Sequence, residues 1–207
     1  MHAGDRGANP RGSIGIFGKL ENYIWSQYHI LYKEKVGYGL TARLIKLSRD
    51  DLFISPTKGN LKFSDLSGEV AGFVNEDRER KYSVIVGTDS EQRNGTAEFV
   101  SVVVVHRIGS HGRYFWHKKK GIKTYNLRDR IYKEANYSLD LAQQLIGELK
   151  EKIEHPHYGF EIHIDVGENG PTKEMIKEVV GMIKGNGFEA KIKPESWVAT
   201  KVADKHV

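Results

Sequence analysis

The run Val84-Ile85-Val86-Gly87-Thr88-Asp89-Ser90-Glu91 begins as a buried strand and ends small, polar and acidic. Apolar side chains on both parities predict burial on both faces, as in a central strand. The strand thereby delivers Asp89 to a rim that water and a ligand can reach. A carboxylate set against an apolar sheet needs a cation, a hydrogen-bond donor or a proton. A strand-end Asp also commonly caps a turn. What lifts Asp89 above that role is the arrival of three more acids at matching places downstream.

Upstream of this strand, Asn75 to Lys81 reads as a charged connector, and Ser64 is expected to cap a short helix with Leu66, Val70, Phe73 and Val74 on one face. Pro56-Thr-Lys-Gly59 is turn chemistry, and the folded unit is expected to begin near Phe53. Downstream, Asn94-Gly95 separates the strand from the apolar run Phe99 to Val105, and Gly109 to Gly112 turns the chain into Arg113 to Lys118. Three strands in a meander result. Asn126-Leu-Arg-Asp129 resembles a capping box and opens a long helix to about Glu154, ended by Pro156, whose apolar stripe runs from Leu127 and Ile131 to Leu149 and Ile153. Glu134 projects from the core-facing side of that stripe or from its edge. Phe160 to Val166 reads as a further strand with Asp165 near its end, followed by the loop Gly167-Glu-Asn-Gly170. A helix from Thr172 to Lys184 and an alternating strand from Phe188 to Lys193 complete a parallel crossover. The tail from Ser196 to Val207 has room for one or two helical turns and carries Asp204.

At 207 residues, with 39% hydrophobic content, the chain fits one domain with an extension. Residues 1–50 hold 8 Lys/Arg against 4 Asp/Glu, leaving 24 against 23 in residues 51–207, so the net charge of +5 comes mostly from the start of the chain. Any basic surface on the main domain must therefore be local. Residues 1–50 show no sustained period and are expected to be an accessory or poorly ordered extension, and residues 51–207 the domain. The absence of cysteine excludes disulfides, thiolate chemistry and Cys-ligated zinc. No apolar run approaches the ~20 residues needed to span a bilayer. The expectation is a cytoplasmic protein without a membrane partner; nothing in the sequence sets an oligomeric state.

Acids thus stand on the first central strand, the long helix, the fourth strand and the terminal segment, in the order Asp89, Glu134, Asp165, Asp204. This resembles the ribonuclease H-like fold, an α/β architecture of three antiparallel strands followed by parallel strands with helices packed on the sheet. More closely, Ser55-Pro-Thr-Lys-Gly59, Gly87-Thr-Asp-Ser90, Arg130-Ile-Tyr-Lys-Glu-Ala135, Asp165-Val-Gly-Glu-Asn-Gly170 and Ala199-Thr-Lys-Val-Ala-Asp204 look like a little-studied bacterial family of ribonuclease H-like nucleases. That resemblance covers about Phe53 to the C-terminus. It implies a divalent-metal-dependent hydrolase acting on RNA, DNA or a hybrid, with the four acids as catalytic metal ligands.

The chemistry gives this set a reason. Phosphodiester hydrolysis needs a nucleophilic water at neutral pH and a neutralised leaving alkoxide, and two divalent ions about 4 Å apart can serve both needs. Mg²⁺ or Mn²⁺ is the expected cofactor, since both are satisfied by oxygen ligands. Lys118, Lys119 and Lys120 are candidates for tracking a phosphate backbone, and Lys201 and Lys205 for flanking a scissile phosphate. His206 and His163 are expected to be solvated or satisfied side chains, with His206 the choice if either takes part. Two other functions compete. Asp89-Ser-Glu91 has the Asp-x-Glu form of proofreading-type exonucleases, but Ala199 and Thr200 stand where those enzymes carry His or Tyr. A non-catalytic nucleic-acid-binding domain is the other, and it gains if any of the four acids lies remote from the rest.

Overall fold

The computed structural model describes residues 47–153 and 158–207, with the side chains of residues 199 and 200 excepted. Seven strands form one mixed sheet: β1 (Leu52–Ser55), β2 (Gly59–Lys62), β3 (Tyr82–Arg93), β4 (Thr96–Arg107), β5 (Gly112–Lys123), β6 (Tyr158–His163) and β7 (Glu189–Lys191), in the spatial order β2-β1-β5-β4-β3-β6-β7. The antiparallel meander β3-β4-β5 lies at its middle, and β6 and β7 add in parallel beyond β3. Among the described residues three α-helices accompany the sheet: α1 (Phe63–Asn75), α2 (Leu127–Lys152) and α3 (Ile176–Gly185). This is the mixed α/β architecture that the order of acids and elements leads one to expect.

The parity of β3 explains its central place. Val84 and Val86 face a core built with Leu66 and Phe73 of α1, with Leu139, Leu145 and Leu149 of α2 and with Val179 and Ile183 of α3. Ile85 points the other way, joining Val100, Val102 and Val104 under Val198 and Ala203 of the C-terminal segment. Both faces of the strand are thus dry. At its far end Asn94 and Gly95 take φ values of +51° and +79°, the left-handed pair that a tight hairpin requires, with Arg93 opposite Thr96.

Several local expectations change. The strand expected over Phe160 to Val166 is β6 and ends at His163, so Asp165 stands beyond it; the helix expected from Thr172 opens as a tight turn over Lys173–Met175 before α3; and of the strand expected from Phe188 to Lys193 only Glu189–Lys191 pairs. Ser64 lies inside the first turn of α1, whose cap position is Lys62 and has no side-chain cap bond. The strands of the meander run further than their apolar runs, because polar residues at the tips of β3, β4 and β5 still pair. The stretch around Pro56 is more than a turn: it joins the four-residue strands β1 and β2, and Ile54 pairs with Trp116 to add them to the sheet edge. Asn126 does cap α2, its Oδ1 accepting the Asp129 N–H at 2.8 Å, while Asp129 Oδ2 accepts the Tyr125 N–H at 3.0 Å. Glu154 and Pro156, expected at the end of this helix, lie outside the described residues, as does the accessory segment up to residue 46. Leu47 already touches the domain, donating its N–H to Asp140 Oδ2 at 2.6 Å.

Candidate active site

Asp89 shares the parity of Ile85 and Gly87, so its side chain leaves β3 on the face covered by the C-terminal segment, and Ser90 leaves on the helix face. Parallel pairing of β3 with β6 ends at Gly87 opposite His163. Asp89 stands two residues beyond that last pair on β3 and Asp165 two residues beyond the end of β6, and the charge of Asp165 acts on Asp89. Glu134 arrives from α2 and is 1% exposed. Asp204 arrives from the opposite face, exposed on the tight turn Asp204–His206 that continues the wider helical turn Val198–Ala203.

The charges of these groups act on one another. Burial, followed by the repulsion of Asp165 and then Asp204, pushes the Asp89 carboxyl up to about 6, against the pull of the Ser90 N–H and Arg130. Burial pushes Glu134 up to about 8, with Asp89 and Asp165 adding to the rise and the Ser90 hydroxyl and Arg130 opposing it. A carboxyl of this kind is protonated at neutral pH unless a cation replaces the proton. Ser90 Oγ donates to Glu134 Oε1 at 2.6 Å, so the proton of the neutral form belongs on Oε2, which has no hydrogen-bond partner.

Three residues absent from the sequence expectations complete the site. Ser90 holds Glu134 as described, and its N–H donates to Asp89 Oδ1 at 2.8 Å. Arg130, one turn before Glu134 on α2, donates through Nη1 to the Ser90 carbonyl, fixing the backbone between the two acids. Lys193 Nζ lies 2.8 Å from Asp165 Oδ1. That oxygen nonetheless has no aligned hydrogen-bond donor, so the contact is one of charge, with the ammonium off the lone-pair directions. Ser90 and Arg130 both lie inside quoted motifs, and the spacing of four between Arg130 and Glu134 puts both on one helix face; Lys193 had no such signal.

Among the described residues, no three acids or histidines already stand as a closed metal cage. Glu134 Oε1 is held by Ser90, and Asp165 faces Lys193. The donor set still suits a hard divalent ion: it is all oxygen, and it includes two buried oxygens, Glu134 Oε2 and Asp165 Oδ1, that lack a hydrogen bond.

The lysines divide. Lys118 pairs with Val100, which pairs with Asp89, so Lys118 stands in the same cross-strand row as the acid, two strands away. It and Lys120 both reach Glu98, at 2.5 and 3.2 Å, while Lys119 points to the helix face with its ammonium 5.6 Å from the centre of the Tyr137 ring. Lys201 and Lys205 are exposed beside Asp204. His163 is buried: its Nδ1 accepts the Val198 N–H at 3.3 Å and its Nε2 faces Glu161 Oε2 at 3.7 Å, so it ties the C-terminal segment to β6. His206 stacks on Trp116 with ring centres 4.0 Å apart, and burial lowers its pKa.

The seven-stranded mixed sheet with its helices fits the ribonuclease H-like class, and the family model described as "Ribonuclease H-like" matches residues 65–207. The chain belongs to that family. It is 31% identical over 165 residues to the uncharacterized protein YkuK of Bacillus subtilis (strain 168), a match covering 74% of this chain and 95% of the relative. No solved structure matches the chain. Membership points to a nuclease-type or nucleic-acid-related function. Among the described residues no helix is long and apolar enough to cross a membrane.

Proposed function

We propose that this protein is a divalent-metal-dependent nuclease that hydrolyses phosphodiester bonds in RNA or DNA, with Asp89, Glu134, Asp165 and Asp204 as its catalytic carboxylates. The observation that supports this most is mutual: Asp89 feels both Asp165 and Asp204, and Glu134 feels both Asp89 and Asp165, although the four come from four separate elements. Structural acids are rarely gathered at such cost without a ligand.

Mg²⁺ or Mn²⁺, held by these four carboxylates, would supply Lewis-acid charge stabilisation at the phosphodiester and lower the pKa of a nucleophilic water. The rest falls to the chain. In hydrolysis the water oxygen bonds to phosphorus, the bond to the leaving oxygen breaks, and that oxygen takes up a proton. Ser90 orients Glu134 by holding Oε1, and Oε2, which has no hydrogen-bond partner, would be the oxygen that takes the ion. Arg130 locks the Ser90 backbone, so Asp89 and Glu134 keep a fixed relation while substrate enters. Lys118, in the row of Asp89, would receive a phosphate of the same strand, exchanging Glu98 for it, with Lys119, Lys120, Lys201 and Lys205 extending the basic track.

The test is a panel of end-labelled single- and double-stranded RNA, DNA and hybrids, incubated with Mg²⁺ or Mn²⁺, comparing wild type with Asp89→Asn. Cleavage of at least one substrate, lowered by three or more orders of magnitude in the variant, is expected. Tight binding without cleavage in either protein would instead favour a non-catalytic nucleic-acid-binding domain.

A further inference from the structure

Lys193 is built into the site rather than merely near it. It follows β7, and its N–H donates to the Val166 carbonyl at 2.9 Å, extending the pairing begun where Ile164 N–H meets the Lys191 carbonyl, also at 2.9 Å. Its stem then lies along Gly167. A Cβ at Gly167 would come within 3.1 Å of Lys193 Cβ and 3.4 Å of its Cδ, so glycine at this position makes the channel in which the stem runs. The ammonium ends 2.8 Å from Asp165 Oδ1 while remaining half exposed. Asp165 in turn acts on both Asp89 and Glu134, so Lys193 pairs with an acid that belongs to the set.

Charge counting limits what else can enter. Fully ionised, the four carboxylates carry four negative charges, and Arg130 and Lys193 return two positive ones. Arg130 gives its hydrogen bond to the neutral Ser90 carbonyl, so its charge stays available to the acids. One divalent cation then balances the site. A second would leave it with an excess of two positive charges before a phosphodiester, with its single negative charge, arrives.

From this geometry we infer that Lys193 occupies one of the two cation positions of the carboxylate site, so that the protein takes a single divalent ion and uses the lysine ammonium at Asp165 in place of the other. This rests on the nuclease proposal for the identity of the site. Lys193 is a positioning residue for Asp165 and a fixed counter-charge to the scissile phosphate.

The experiment is calorimetric titration of Mn²⁺ into the full-length protein without nucleic acid, for wild type and Lys193→Met, which keeps the stem on Gly167 and loses the charge. Circular dichroism establishes that both are folded, and Lys193→Arg, which keeps the charge, serves as the second variant. Wild type and Lys193→Arg are expected to bind one ion per chain, whereas Lys193→Met binds two, or binds its first about tenfold more tightly. Identical titrations of wild type and Lys193→Met, at one ion or at two, would overturn the inference and leave the nuclease proposal standing. No binding to any of the three would overturn both.

Discussion

Glu134 is the acid whose environment makes the sharpest claim, because one oxygen is bonded to Ser90 and the other, equally buried, to nothing. Its folded pKa, about 8, lies above its ordinary value of 4.5. The folded protein therefore binds more protons than the unfolded chain between those limits, and this group's contribution to stability is complete below about 4.5 and lost as pH rises through about 8. In chelator, Glu134→Gln should remove that loss, raising the thermal midpoint at pH 9 by about 2–6 °C while changing little at pH 5. Mn²⁺ competes with the same proton, so its affinity for wild type should rise with pH through about 6 and again towards about 8, and the upper inflection should vanish in the variant. A Glu134→Gln protein with unchanged midpoints at both pH values would return Glu134 to a structural role. Asp89 and Asp165 could be located from sequence because each ends an apolar run. Ser90 and Arg130 show in the sequence only as members of motifs, since the bonds through which they act, a hydroxyl to Glu134 and a guanidinium to the Ser90 carbonyl, follow no spacing rule, and Lys193 acts through a contact between segments that only folding brings together.

The elements differ in how openly the sequence shows them. The helix α2 was legible because nine apolar positions repeat at helical spacing and Asn126 announces its start; Asn126→Ala should cost about 1 kcal/mol, read as a lower urea midpoint at unchanged slope. The hairpin β1-β2 was not legible, since strands of four residues are too short to establish a period. The C-terminal segment lies between these cases. Val198 and Ala203 are fully buried on the second face of the sheet, and His206 stacks on Trp116, whereas Trp197 is 37% exposed. Deleting residues 203–207 should therefore lower stability by about 2–4 kcal/mol as well as removing Asp204. Asp204→Asn alone, at an exposed position, should leave the midpoint within about 0.5 kcal/mol of wild type and still lower turnover in the nucleic-acid assay. Full turnover in Asp204→Asn would reduce the site to the other three acids.

The assembly of the site depends on the sheet as a unit. The order and direction of β3 to β7 followed from the meander, the crossover and the resemblance, whereas β1 and β2 did not, and the parallel pairing of β3 with β6 carries the two chain segments towards the rim where Asp165 acts on Asp89. What no periodicity could supply is the approach from two faces, with Glu134 coming from α2 and Asp204 from the segment beneath the sheet. The account stands on these acids forming one cation site, and cation binding to a folded site raises its thermal stability. The most direct measurement is the shift in thermal midpoint on adding Mn²⁺, compared between wild type and Asp89→Asn/Asp165→Asn. A concentration-dependent rise in wild type, largely lost in the double variant, is the predicted result; equal shifts in the two proteins would contradict it.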